Sequence, residues 1–186
     1  MTSVILGVSG ASGAALALSV ARHLVDLSIG VELVVSPAAE RTSHAECGEV
    51  ALLSLTDLAD HVYAPSDIGA RIASGSAPVA GMIVAPCSMR SLAAIANGLD
   101  DNLLTRSASV QLKERRPLVL LTREAPLTLA HLRNMTAATE MGAIILPPVP
   151  AFYLIPTSLA DVVDQIAARA VDLLHIAPPI CRAWTG

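Results

Sequence analysis

The stretch SVILGVSGASGAALALSV, residues 3–20, decides the fold. Residues 3–9 are a continuous apolar run of strand length, and a helical stretch follows from Ala14 to about Leu27. Between them, GVSGASG places Gly7, Gly10 and Gly13 three residues apart, a strand–turn–helix transition. A strand with no polar alternation is buried on both faces, which is the habit of parallel sheets.

The rest of the chain repeats this unit. VELVVS (31–36) precedes a helical segment from near Ala38, and GMIVAPCS (81–88) precedes a helix from about Ser91. PLVLLTRE (117–124) leads into a helix from about Leu127 to Met141, and GAIILPPVP (142–150) ends in a Pro-rich loop. A last helix starts at Ser158, with Asp161 three residues on in a capping-box arrangement. The alternation predicts an α/β protein: a doubly wound, mostly parallel sheet between two helical layers. Residues 46–80 are the least regular, and 73–81 read as a loop. The length of 186 residues predicts one domain, 1–186.

Hydrophobic residues are 53% and charged residues 15%, while aromatics are only 2%. The core is therefore aliphatic, and a monomer would expose much apolar surface, which predicts a large oligomer interface. No uninterrupted apolar window reaches about eighteen residues, so no membrane span is expected. The N-terminus lacks the basic region of a signal peptide. Three scattered cysteines at no metal-ligand spacing fit a reducing cytoplasm. A net charge of −4 with no basic stripe argues against nucleic acid.

Every predicted strand ends in small or polar residues, and ligands of open parallel sheets bind at those carboxyl ends. The first loop suits a phosphate, because glycines admit close backbone approach and a helix N-terminus presents free N–H groups. It is not the dinucleotide G-x-G-x-x-G pattern, and strand two ends in Ser36 where a ribose-binding acid would stand. A mononucleotide phosphate is the better fit. APCSMRS (85–91) offers a second anion site, although Ser88 would serve equally as a helix N-cap. Among twelve cationic side chains, Arg106, the sole lysine Lys113, Arg123 and Arg169 stand out. Arg115 and Arg116 read as a solvated helix end. Arg123 stands beside Glu124 at the end of a buried strand, where a solvated face is not expected. Arg169 falls in the apolar stripe of the last helix, where a salt bridge is the alternative reading.

GVSGASG, APCSMRSLAAIANG, DNLLTRSASVQLKERRPLVLLTREAPL, HLRNM, GAIILPPVPAFY and DVVDQIAARAVDLL together resemble the UbiX-like flavin prenyltransferases over nearly the whole chain, most weakly from about 40 to 65. The resemblance implies a Rossmann-like or flavodoxin-like fold, FMN, a homododecamer, and no metal. It implies transfer of a dimethylallyl group from dimethylallyl phosphate to N5 and C6 of reduced FMN, the product serving a UbiD-type decarboxylase. By motif, Gly10, Ala11, Ser12, Ser36, Cys87, Ser88, Met89, Arg90 and Arg123 would hold FMN, with Ser12 near N5. Ser74, Arg106, Lys113, Tyr153 and Arg169 would meet the allyl phosphate, some from a neighbouring subunit. Glu124, or the leaving phosphate held by Tyr153, would take the C6 proton. Two phosphorylated ligands side by side account for the cations, whose pairing strengthens where water is scarce.

The chain departs from the family pattern at Ile68 (often aromatic), Pro37 (commonly Lys), Leu154 and Ile155 (for His-Arg) and Ser109 (for Asp). None of these is a residue assigned to chemistry. Competing readings are a flavin-dependent cysteine decarboxylase, a non-catalytic FMN-binding partner subunit of an aromatic-acid decarboxylase, and direct aromatic-acid decarboxylation. The first lacks its histidine and PAMN-like turn. The second has no use for a second phosphate site, and the third needs a ring pocket that an aromatic-poor chain supplies badly.

Overall fold

A computed structural model describes residues 2–185. Six strands form one parallel sheet: β1 (Ser3–Val8), β2 (Gly30–Val35), β3 (His61–Tyr63), β4 (Val79–Cys87), β5 (Leu118–Thr122) and β6 (Ile144–Ile145). Their order is β3-β2-β1-β4-β5-β6. The chain winds outward from β1 to β3, then returns to the other side of β1 and winds out to β6. The reversal leaves a crevice at the carboxyl ends of β1 and β4.

Helices cover both faces, as the continuously apolar strands require. The helices α1 (Ala14–Asp26), α2 (Pro37–Cys47), α3 (Glu49–Asp57) and α7 (Leu159–Asp172) pack on one side. The other side carries α4 (Met89–Ala96), α5 (Leu103–Lys113) and α6 (Leu129–Glu140). Alternate residues of β1 divide between two cores: Val4, Leu6 and Val8 face α1 and α7, while Ile5 faces α4 and α5. Register fixes the crevice, with Val8 opposite Val35 of β2 and Gly7 opposite Val84 of β4.

Three elements differ from the sequence expectation. The irregular region holds α3 and the edge strand β3, whose residues His61 and Val62 are exposed and so lack an apolar run. The helix after β4 is two helices: Gly98, at φ 66, ends the first, and the Asn102 side chain caps the second by accepting from Thr105 N at 3.1 Å. The last strand is reduced to Ile144–Ile145, because prolines 147, 148 and 150 supply no ladder donors. The cap of α7 is as expected, a capping box of Ser158 and Asp161. Among the described residues no helix is long and apolar enough to cross a membrane.

Candidate functional site: the switch-point cradle

Three helices begin at the crevice, each after a strand. Gly13 precedes α1 with φ 112, a left-handed conformation that a side chain would strain. Ser36 caps α2 and accepts from Ala39 N at 3.2 Å, and Ser88 caps α4 and accepts from Ser91 N at 3.2 Å. The loop after β1 lies hard against α2, since a Cβ on Gly10 would stand 2.4 Å from Ala38 Cβ. Ser9 binds β1 to β4: its hydroxyl donates to Pro86 O at 2.8 Å and accepts from Ser88 N at 2.7 Å. Gly10, Ala11, Ser12, Ser36 and Cys87 to Arg90 are thus gathered into one cradle of helix N-termini. The partial positive charges of these helix N-termini suit a phosphate monoester, although side chains already accept from several of their amides. Burial pushes the Cys87 thiol up to about 12, so it carries no thiolate.

One residue of this cradle escaped the sequence reading. Glu46 Oε2 accepts from Gly13 N at 2.8 Å and Ala14 N at 2.9 Å. Partial burial opposes its charge. Hydrogen bonds from the Ser12 hydroxyl and the Ala14 and Gly13 amides, with the Arg123 charge, outweigh that and hold its carboxyl below the usual range. The available signal was an acid in the last turn of α2, the end where the helix dipole disfavours one.

The cations fall into separate groups. Arg90 pairs with Asp101, Arg106 with Asp100 at 3.0 Å, and Lys113 with Glu114. Arg106 and Lys113, seven residues apart on α5, share a helix face. Lys113 lies against the 74–76 turn: a Cβ on Gly75 would stand 2.6 Å from its Nζ. In that turn the Ser74 and Ser76 hydroxyls are 2.9 Å apart, and Arg116 Nη2 donates to Gly75 O at 2.6 Å. Arg116 therefore anchors a turn rather than ending a solvated helix.

Tyr153 and Arg169 meet at a cavity of about 140 Å³, together with Gln165 and Cys181. Arg123 and Glu124 line a second, of about 250 Å³, which shares Pro147 and Val149 with the first. Thr122 Oγ1, between the cradle and this second cavity, is buried with no partner. Two expectations are corrected here. Arg123 and Glu124 are exposed, because β5 ends at Thr122 and the chain turns out of the sheet. Arg169 is also exposed while Ala168 and Ala170 beside it are buried, so it stands on the outer side of α7 rather than in its apolar stripe. Neither arginine forms an ion pair among the described residues.

Within one chain Lys113 and Ser74 do not join Tyr153 and Arg169. Helix α5 runs back from the carboxyl ends of the strands, and Lys113 ends it just before β5 begins at Leu118. Lys113 therefore sits at the amino edge of the sheet, opposite the cradle.

The fold is that of a flavoprotein, and the chain matches the Flavoprotein family over residues 1–171. A probable UbiX-like flavin prenyltransferase of Bacillus subtilis (strain 168) is 49% identical over 183 residues, covering 98% of this chain and 89% of that protein. The flavin prenyltransferase UbiX of Thauera aromatica is 45% identical over 183 residues, covering 98% of this chain and 94% of that one. The chain belongs to the family of UbiX-like flavin prenyltransferases. A UbiX crystal structure in complex with FMN and dimethylallyl pyrophosphate has a TM-score of 0.94 at 42% identity, covering 100% of this chain and 98% of that one. A dodecameric FMN-dependent UbiX-like decarboxylase from Escherichia coli O157:H7 has a TM-score of 0.94 at 40% identity, with 100% of both chains covered.

Proposed function

We propose that this chain, as a single domain over residues 1–186, is a cytoplasmic flavin prenyltransferase. It joins a dimethylallyl group from dimethylallyl phosphate to N5 and C6 of reduced FMN. The prenylated FMN serves a UbiD-type decarboxylase. The observation that carries this reading is the cradle, where three helix N-termini converge and Glu46 accepts from the Gly13 and Ala14 amides beside Ser12.

Gly10, Ala11, Ser36 and the Cys87–Arg90 turn hold the FMN phosphate and ring, and Cys87, a neutral thiol, contributes its backbone. Ser12, next to the Gly13 amide that Glu46 accepts from, is assigned to pass a proton at the ring edge. Arg123 adds its charge at the end of β5. Tyr153 and Arg169 receive the donor phosphate, and their electrostatic stabilisation grows as the allylic C–O bond breaks. Glu124 takes the proton lost when the second bond closes.

Lys113, Arg106 and Ser74 act on the donor site of another copy; their separation from Tyr153 within one chain and the dodecameric state of a structural neighbour support this. The local carboxylates Glu114 and Asp100 pair with Lys113 and Arg106 in the lone chain, and a donor phosphate competes for both cations.

The test mixes the protein anaerobically with FMN, dithionite and dimethylallyl phosphate and weighs the released flavin. A gain of one C5H8 unit is expected. Unmodified, tightly held FMN with either the monophosphate or the diphosphate donor would overturn the reading.

A further inference from the structure

Beyond α7 the chain turns back on itself. His175, at φ 55, reverses its direction, and Ile176, Ala177 and Ile180 pack against the core beneath α1 and α7. The returning tail is fixed to α7 by one residue. Asp172, only 8% exposed, accepts from Ile180 N at 2.8 Å through Oδ1 and from Cys181 N at 3.1 Å through Oδ2. A carboxylate in the last turn of a helix faces an unfavourable dipole and needs such donors.

Asp172 continues a row. Gln165, Arg169 and Asp172 are four and three residues apart, on one face of α7. The pinned tail runs back along that face. Cys181 reaches the cavity of Tyr153 and Arg169, and Trp184 sets its ring edge-on to Tyr153, with centroids 5.2 Å apart at 84°. The Gln165 amide nitrogen in the same cavity is buried without a partner. The tail therefore supplies Cys181 to this cavity and the Trp184 ring against Tyr153, and Asp172 is the α7 side chain whose hydrogen bonds fix the tail's backbone.

We propose that Asp172 is a positioning residue for the allyl-phosphate donor, acting through the tail that it pins across the Tyr153–Arg169 cavity. This rests on the donor site proposed above. Asp172 touches no reacting atom. Its carboxylate sets where Cys181 and Trp184 stand, and these set the shape in which Tyr153 and Arg169 receive the donor.

Trp184 is the only tryptophan, so its emission reports on the tail alone. The experiment compares the full-length parent with Asp172→Ala and, where that variant does not fold, with Asp172→Asn, which keeps the shape and one acceptor. Three quantities are read: Trp184 fluorescence anisotropy without ligands, FMN affinity, and the KM and kcat for dimethylallyl phosphate. Anisotropy should fall and KM rise about tenfold, with FMN affinity unchanged and kcat changed far less. Asn should lie between Ala and the parent. Unchanged anisotropy overturns the anchor. A mobile tail with parental kinetics overturns the positioning role, as would FMN affinity falling in step with donor use. A parent that never prenylates FMN overturns the donor-site reading itself, while the anisotropy still decides whether Asp172 holds the tail.

Discussion

Glu46 Oε2 stands 2.8 Å from the Gly13 amide nitrogen, so the last turn of α2 closes on the first turn of α1. This contact binds the two helices that begin on either side of the first loop. It also sets a carboxylate at the residue next to Ser12. Glu46→Gln keeps an acceptor for the amides but loses the charge. FMN affinity should change little, while prenylation should slow about a hundredfold, the scale of a lost proton-handling group. Flavin-fluorescence titration and single-turnover mass analysis separate the two. Parental turnover in Glu46→Gln would leave Glu46 a structural cap only.

Gly10→Ala tests the packing of the cradle. The added methyl would lie 2.4 Å from Ala38 Cβ, and the two helix starts must part to admit it. Overpacking of this kind costs about 1–3 kcal/mol. Thermal unfolding should drop by several degrees, and FMN should bind weakly even at temperatures where the variant is folded. A variant with parental melting and parental FMN affinity would show that the loop is free to move away from α2.

The layers and the crevice could be read in the sequence because apolar strand runs and the Gly-rich first loop are local patterns. The capping serines Ser88 and Ser158 are local too. Glu46 could not be read that way, since its partners lie 32 and 33 residues away and an acid at a helix C-terminus marks a need for donors without saying where they are. The exposure of Arg123 and Arg169 is not legible for a related reason. One depends on where β5 leaves the sheet, the other on the rotation of α7 against α1, and neither is fixed by a residue's immediate neighbours. The separation of Lys113 from Tyr153 follows from the direction of α5, which motif order alone does not reveal.

Lys113→Ala should raise the KM for dimethylallyl phosphate about tenfold, near 1.4 kcal/mol, and leave FMN affinity nearly intact. Lys113 lies at the amino edge of the sheet, far from the cradle of its own chain, so only the donor should register its loss. Initial rates at fixed reduced FMN and varied donor measure this. Equal weakening of both ligands would make Lys113 a structural residue of the 74–76 turn.

Glu124→Gln should retain FMN and lose most turnover, because the amide cannot accept the C6 proton. Glu124 is exposed beside Arg123 in the cavity it shares with Thr122, so the substitution should not unsettle the core. The bound flavin should gain the C5 unit without closing the ring, an isomer of equal mass that its absorption spectrum, rather than its mass, tells from the closed product. Prenylation at the parental rate would pass the proton to the leaving phosphate instead.

Asp161 gives a pH test of the fold apart from catalysis. Hydrogen bonds from the Thr157 hydroxyl and amide, both at 2.8 Å, and from the Ser158 amide at 3.1 Å hold its carboxyl at about 2, against an ordinary 3.8. The unfolded chain therefore binds this proton more readily than the folded one. The stabilisation from the ionised cap is complete above pH 3.8 and is lost as pH falls through 3.8 toward 2. Asp161→Asn should be less stable than the parent at pH 7, and the gap in denaturant midpoint should close as pH approaches 2. Added salt should narrow the gap less than acid does, because the cap acts through short hydrogen bonds rather than a distant charge. A gap as wide near pH 2 as at pH 7 would mean that shape, not ionisation, makes Asp161 the better cap.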